Sequence, residues 1–246
     1  MSNNTLIIIP ARLASSRLDR KMLADIAGEP LILRTYRSAV SAEVADVIVA
    51  CDGEEIASVI RSAGGTAIIT DPHLPSGMDR VCAAYEEYQK INGEYDCVVN
   101  LQGDLPFITA EFIKAGIEGL CEFDYDMHTL ATPITDDSYV KNQVVKPVIA
   151  FSSANSGRAI YFSRSVVPVG GPYYHHVGIY YFRPCALRKF VALPPSPLEL
   201  SEKLEQLRAL ENAMTIGITV VRKAMPISVD VSEDLLRARK YFADNC

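Results

Sequence analysis

The run Leu6-Ile7-Ile8-Ile9 carries no polar side chain and stops at Pro10. A strand that is apolar at both odd and even positions must be covered on both faces. That is the condition of a central strand in a parallel sheet with helices above and below it. Pro10 has no N–H for a ladder, so the strand is expected to end there. The pattern then recurs. Gly28-Glu29-Pro30 turns into a helix with Pro30 in its first turn and Ile32, Leu33, Tyr36, Ala39 and Val40 on one face. Residues 46–51 form a second buried run, closed by Asp52-Gly53. A short helix follows with Ile56, Val59 and Ile60 inward, Gly64-Gly65 stops it, and residues 66–70 make a third strand. The order β-α-β-α-β predicts an α/β chain with its sheet flanked by helices.

Residues 95–101 read as a fourth strand, running into Gln102-Gly103-Asp104-Leu105-Pro106. Residues 112–120 are helical. Residues 127–134 are strand-like, with Pro133 placing the end of the strand at an edge, and His128 alternates with apolar neighbours as a structural residue would. From Val144 the pattern changes. Segments 144–151, 159–165 and 175–183 are rich in Tyr and Phe and read as antiparallel or mixed strands. They are expected to form a substrate-facing, dimer-forming insertion over about 142–185 within a single domain spanning 1–246. Leu193-Pro194-Pro195-Ser196-Pro197 is a rigid bridge. Residues 198–210 read as one helix, striped by Leu200, Leu204, Leu207 and Leu210, with Glu205 and Gln206 off the stripe. Residues 216–221 are the last strand, and Ser232 is the expected N-cap of a terminal helix with Glu233 and Asp234 in its first turn.

Charge sharpens the reading. Lys plus Arg is 24 against 30 for Asp plus Glu, a formal net charge of −6, which argues against a general nucleic-acid binder. The 6 cysteines show no CxxC spacing and no metal-ligand cluster; Cys51 and Cys97 sit in apolar runs as core thiols. The apolar start is too short for a signal-peptide core, and no run approaches membrane-spanning length. A cytoplasmic protein without membrane insertion is expected.

Against that acidic background the loop after the first strand is basic. Arg12, Arg17, Arg20 and Lys21 face one acid, Asp19, and are spaced by Ala11, Ala14, Ser15 and Ser16. Small residues let a ligand approach the backbone, and the serines add hydroxyl donors. At the C-terminal edge of a first α/β strand this is where an anion sits. A second turn, Ser76-Gly77-Met78-Asp79-Arg80, offers Ser76 as an N-cap with Asp79 completing a capping box, and Arg80 directed at the same pocket as Arg12. Asp104, at the tip of a central strand, is either a turn residue or a carboxylate placed for a divalent cation. Asp230, just outside the terminal helix, is either a turn residue or a second ligand.

Taken in order, Pro10-Ala-Arg-Leu-Ala-Ser-Ser-Arg-Leu18 with Lys21, Ser76-Gly77-x-Asp79-Arg80, Gln102-Gly103-Asp104-x-Pro106, Tyr161-Phe-Ser-Arg164, His176-x-Gly-Ile-Tyr180, Ser196-Pro-Leu-Glu199, Leu204-Glu-Gln-Leu-Arg208 and Val229-Asp230-x-x-Glu-Asp234 resemble the 3-deoxy-manno-octulosonate (Kdo) cytidylyltransferase family over nearly the whole chain. The resemblance implies a nucleotide-diphospho-sugar transferase fold, Rossmann-like with a mixed sheet, a homodimer, and transfer of CMP from CTP to Kdo with release of pyrophosphate for lipopolysaccharide biosynthesis. It implies that Arg12, Arg17 and Lys21 hold the triphosphate, with Arg12, Lys21, Asp104 and Asp230 the catalytic set. Ser15, Ser76 and Arg80 place the nucleotide, and Gln102 lies between the substrates. Asp104 and Asp230 match magnesium positions, so Mg²⁺ is the expected cofactor. Arg164, His176, Tyr180, Glu205 and Gln206 match sugar-binding positions.

The chain departs from the family's pattern in three places. Asp19-Arg20-Lys21-Met22 stands for the usual Pro-Gly-Lys-Pro, Leu105 for a Glu, and Leu74-Pro75-Ser76-Gly77-Met78 for His-x-Ser-Gly-Thr. These departures leave room for another sugar acid, such as 8-amino-Kdo or a nonulosonic acid, or for a catalytically idle sugar-nucleotide-binding paralogue.

Overall fold

The computed structural model describes residues 4–15 and 17–245. In chain order the elements are β1 (Thr5–Ala11), β2 (Asp25–Ile26), β3 (Glu29–Pro30), α1 (Leu31–Ser41), β4 (Asp46–Cys51), α2 (Glu54–Ser62), β5 (Thr66–Ile69), α3 (Gly77–Asn92), β6 (Cys97–Leu101) and α4 (Ala110–Glu122). There follow β7 (Met127–Pro133), β8 (Lys146–Phe151), β9 (Ser156–Ser163), β10 (Tyr174–Phe182), α5 (Pro184–Val191), α6 (Pro197–Glu202), α7 (Leu207–Glu211), β11 (Ile216–Val220) and α8 (Ser232–Asn245). Two compact units result. One holds the chain up to Ile113 and again from Pro226; the other is Lys114–Met225.

In the first unit the strand order is β5-β4-β1-β6, and the pairs β1–β4, β1–β6 and β4–β5 are all parallel. Leu6, Ile7, Ile8 and Ile9 are each fully buried, as their unbroken apolar run requires. Ile32, Leu33 and Ala39 of α1, Ile56 and Ile60 of α2, and Val81 and Tyr85 of α3 complete this core. Val40 does not join it: it is 44% exposed, since eight residues past Ile32 it has rotated about 80° off that face. Gly64 (φ +81) ends α2 as its sequence position suggests.

In the second unit the order is β10-β7-β11-β9-β8. β10–β7, β11–β9 and β8–β9 are antiparallel, while β11–β7 is parallel. The three aromatic-rich strands expected over 142–185 are therefore present as β8, β9 and β10, in a unit that extends beyond them on both sides. β7 is interior, between β10 and β11. Pro133 is its last residue, so the missing N–H falls at the end of the ladder and not within it. His128 is structural, as expected: its Nε2 meets Thr219 Oγ1 at 2.9 Å, and its ring lies so close to Gly119 and Gly217 that a Cβ at either would come within 2.4 Å.

The single helix expected over 198–210 is two short ones, α6 and α7. Lys203 adopts the left-handed conformation (φ 56) between them. The physical reason is a buried ion pair. Arg208 Nη2 lies 2.6 Å from Glu199 Oε1, and Arg208 Nε lies 2.8 Å from Glu199 Oε2. In one continuous helix these two residues would point to opposite faces, about 180° and roughly 13 Å apart along the axis. Breaking the helix joins them, buries Leu204 and Leu207, and leaves Leu200 66% exposed. Glu205 and Gln206 consequently sit in the turn between the helices.

Candidate active site

The nine residues expected on the nucleotide side, Arg12, Ser15, Arg17, Lys21, Ser76, Arg80, Gln102, Asp104 and Asp230, all line one cavity of about 400 Å³ in the first unit. Ser16 lies outside the described residues. Each wall has a local cause. The loop after β1 is held by Asp52, whose carboxylate accepts from the Leu13 N–H at 3.0 and 3.1 Å. Sequence reading had taken Asp52 only as a strand end. Ser76 caps α3, its Oγ accepting from the Asp79 N–H at 3.2 Å and donating to Asp79 Oδ2 at 2.6 Å. Arg80 is almost buried and donates to Thr70 Oγ1 at 2.5 Å. Thr70 carried no signal in the sequence.

The 102–106 turn is clamped from α1. Thr35 Oγ1 donates to Gly103 O at 2.9 Å, and Ser38 Oγ donates to Pro106 O at 2.6 Å. Gly103 packs closely: a Cβ there would lie 2.9 Å from Met22 Sδ and 3.1 Å from the Pro10 carbonyl, so a side chain would require both to give way. Gln102 turns its amide to Asn100 Oδ1 at 3.1 Å. The Val229 N–H donates to Asp104 O at 2.9 Å, and this backbone tie sets Asp230 beside Asp104. Asp234 Oδ2 accepts from the N–H groups of Asp230 and Val231, fixing the entry to α8 from its first turn.

Lys21 lies where the two carboxylates converge, with Nζ 2.9 Å from Asp104 Oδ2 and 3.1 Å from Asp230 Oδ1; Arg17 reaches Asp230 Oδ1 at 3.4 Å. Burial works against the Lys21 ammonium, but Asp104 and Asp230 outweigh it and hold its pKa above the ordinary lysine value. Burial raises the Asp104 pKa; Lys21 opposes that and Asp230 adds to it. Two hard oxygen donors aimed at one point, now taken by an ammonium, fit Mg²⁺, which takes one or two carboxylates and completes its shell with phosphate oxygens and water. Among the described residues no group of three or more His, Cys, Asp or Glu could hold a metal by itself.

Of the substituted residues Met22 and Leu74 line the cavity, while Arg20, Met78 and Leu105 are held locally. Arg20 adopts the left-handed conformation (φ 49) and pairs with Glu55 at the start of α2. Met78 is fully buried, its Sδ 2.9 Å from Asn100 Nδ2, and Leu105 is 3% exposed.

Of the residues expected on the sugar side, Arg164, His176, Tyr180, Glu205 and Gln206 belong to the second unit. His176, Tyr180 and Gln206 come together. Tyr180 donates to Gln206 Oε1 at 3.0 Å, and the His176 and Tyr180 rings are 5.6 Å apart. His176 Nε2 meets Thr129 Oγ1 at 2.9 Å, and Phe162 packs edge-on to the imidazole. Burial lowers the His176 pKa to about 3, so the ring is neutral. Burial first, and Glu205 second, raise the Tyr180 pKa. Glu205 lies 4.0 Å from Arg208. Arg164 is engaged elsewhere in its unit. Its N–H donates to Glu202 Oε2 and its Nε to Glu202 O, each at 3.2 Å. Sequence reading did not single out Glu202 or the buried Lys146. No helix among the described residues is long and apolar enough to cross a membrane.

The family model for cytidylyltransferases matches residues 6–216. A 3-deoxy-manno-octulosonate cytidylyltransferase of Parvibaculum lavamentivorans is 46% identical over 245 residues, covering 99% of this chain and 94% of that protein. One of Rhodospirillum rubrum is 48% identical over 238 residues, covering 95% and 94%. The solved structure of a CMP:2-keto-3-deoxy-manno-octonic acid synthetase complexed with CTP superposes with a TM-score of 0.89 at 34% identity, covering 99% of this chain and all of that one. The 4-diphosphocytidyl-2C-methyl-D-erythritol synthase of Anaerococcus prevotii shares the fold alone, with a TM-score of 0.63 at 14% identity. The chain belongs to the cytidylyltransferase family, among the 3-deoxy-manno-octulosonate cytidylyltransferases.

Proposed function

We infer that the protein transfers CMP from CTP to the anomeric hydroxyl of Kdo, giving CMP-Kdo and pyrophosphate. The observation that carries this reading is the convergence of Lys21, Asp104 and Asp230 in a cleft also lined by Arg12, Arg17 and Arg80. The anomeric oxygen forms a bond to the α-phosphorus, the bond from that phosphorus to the oxygen bridging to the β-phosphate breaks, and the hydroxyl proton passes to solvent. No protein base is assigned. Such a transfer asks the protein for positioning and charge neutralisation. Arg12, Arg17 and Lys21 take the triphosphate and stabilise the departing pyrophosphate, Arg as a fork and Lys as a point charge. A triphosphate competes with Asp104 and Asp230 for Lys21 and so exposes both carboxylates to a cation. These two residues would hold Mg²⁺, which when bound neutralises phosphate charge and acidifies the attacking hydroxyl. Ser15, Ser76 and Arg80 place the nucleotide.

Arg164, His176, Tyr180, Glu205 and Gln206 recognise the sugar acid. This reading is supported by the neutral His176 and by Gln206, whose buried Nε2 has no partner among the described residues. A sugar hydroxyl is an acceptor that would satisfy it. The protein works as a homodimer. Val140, Phe151, Ile160, Val166 and Val169, exposed in and beside the aromatic-rich strands, support a covered face there. The enzyme acts in the cytoplasm, with its product consumed in lipopolysaccharide assembly.

The test is pyrophosphate release from CTP with Mg²⁺ and, separately, Kdo, 8-amino-Kdo or N-acetylneuraminate, with UTP as nucleotide control and EDTA as metal control. Release with CTP and Kdo, abolished by EDTA, supports the reading. Release only with another acid keeps the mechanism and replaces the substrate. CTP binding without release from any acid identifies an idle paralogue.

A further inference from the structure

Lys146 takes no part in the chemistry assigned above, yet its side chain is fully buried in the second unit. A buried ammonium is costly unless its N–H groups are matched. Here they are matched by the backbone. Nζ donates to Val144 O at 2.7 Å, to Lys141 O at 3.2 Å and to the Arg164 carbonyl. That uses all the donors an ammonium has. Burial, and then the Arg164 guanidinium, lower the Lys146 pKa, while Glu202 works the other way.

The same run of chain is gripped by two residues assigned to the sugar acid. Arg164 Nη1 donates to Asn142 O at 3.2 Å and to Gln143 O at 3.5 Å. The His176 N–H donates to Val145 O at 2.9 Å. The carbonyls of residues 141 to 145 are therefore all taken, by Lys146, Arg164 and His176 between them. Lys146 also holds Arg164 through its carbonyl, so a single cation ties the run to the residue whose side chain leans on it.

We propose that Lys146 is a positioning residue for recognition of the sugar acid, a tethered cation that fixes the 141–145 run and through it the Arg164 guanidinium and the His176 backbone. The proposal rests on the assignment of Arg164 and His176 to the sugar side. Lys146 itself touches no substrate. Removing its charge takes the lysine donor from the Val144 and Arg164 carbonyls, while Lys141 O keeps the Val144 N–H. The run then relaxes, and Arg164 loses both its carbonyl anchor and the fixed acceptors of its guanidinium.

The experiment is steady-state kinetics of Lys146→Met, Arg164→Ala and the double variant, with Kdo and CTP each varied. Lys146→Met is expected to raise the Kdo KM about 10-fold, the scale of a small misplacement of a binding group, and to leave the CTP KM unchanged. In the Arg164→Ala background it should add nothing further to the Kdo KM, because the two act through one element. A purely structural lysine would lower the active fraction and leave both KM values alone. A Lys146→Met enzyme with an unchanged Kdo KM, beside an Arg164→Ala enzyme with a raised one, overturns the positioning role and leaves the sugar assignment standing. An unchanged Kdo KM in Arg164→Ala removes the assignment, and the proposal with it. Should Lys146→Met not fold, Lys146→Gln, whose shorter side chain offers two N–H donors where the ammonium has three, takes its place: a raised Kdo KM with an unchanged CTP KM supports the role, and an unchanged Kdo KM overturns it.

Discussion

In the first unit the charged side chains around the 12–21 loop hold one another. Lys21 is shared by Asp104 and Asp230, and Asp230 is shared by Lys21 and Arg17. In the second unit most of the polar side chains expected to meet the sugar acid are held by neutral groups and backbone, while Glu205 lies 4.0 Å from Arg208. His176 rests on Thr129, Tyr180 on Gln206, and Arg164 on the carbonyls of Glu202, Asn142 and Gln143. The contrast suits the two tasks proposed for these residues. Ion pairs beside an open cleft exchange readily for phosphate and metal, because each partner already tolerates a competing charge. Recognition of hydroxyls needs neutral donors and acceptors fixed in advance, which burial and backbone hydrogen bonds supply.

The contrast can be broken first at Asp104. If the charged cluster is the reacting side, Asp104→Ala lowers the rate of pyrophosphate release by about 10³-fold, the scale of losing one preorganised electrostatic group, with the melting temperature little changed. An Asp104→Ala enzyme that is fully active with Mg²⁺ would falsify the metal assignment. The second unit is probed through its buried pair. Glu199→Gln leaves the buried Arg208 with Glu205, at 4.0 Å, as its remaining counter-charge, which costs about 3 kcal/mol. Thermal unfolding should fall by roughly 10 °C, and the Kdo KM should rise more than the CTP KM, because Gln206 lies in the turn that this pair shapes. Equal changes in the two KM values would dissolve the distinction between the regions.

Acid should reach the second unit through its neutral histidines. Burial lowers the His128 pKa from 6.5 to about 4, so between those values the unfolded chain binds a proton that the native chain does not. Stability from this residue is complete above pH 6.5 and is lost as pH falls to about 4, amounting to about 3 kcal/mol. Urea unfolding from pH 7 to 4.5 reads this directly, and His128→Gln should flatten that part of the profile. The smallest effect is expected at the loop itself. Arg20→Gly removes both a left-handed non-glycine residue, worth about 1 kcal/mol of strain, and an exposed pair with Glu55 worth about 0–1 kcal/mol. The two nearly cancel in stability, so any change in the CTP KM reports the loop's freedom rather than its energy.

What could be read without coordinates was local or periodic. The apolar run of β1, the basic loop behind it, the Ser76 cap and the glycine before Asp104 each declare themselves within a few residues. Nine nucleotide-side residues came to one cavity because each follows or abuts a strand end or turn whose position the pattern marks. The break at Lys203 could not be read in this way. The leucine stripe over 198–210 is a sound helical signal, and it loses to an ion pair between residues that only a turn can bring together. Lys146 gave no signal because nothing nearby marks a lysine as buried, and the carbonyls that receive it include one from Arg164, in a different strand end.

By itself the sequence determined the class of fold, the order of the main strands and the residue types at the turns lining the cavity, because burial periodicity and turn chemistry act over short spans. The tertiary structure alone decided which charges meet. Asp230 reaches Asp104 through the Val229–Asp104 backbone bond, Arg208 reaches Glu199 across a broken helix, and Lys146 finds carbonyls from two separate segments. These pairings depend on the distance between atoms far apart in the chain, which no local pattern encodes.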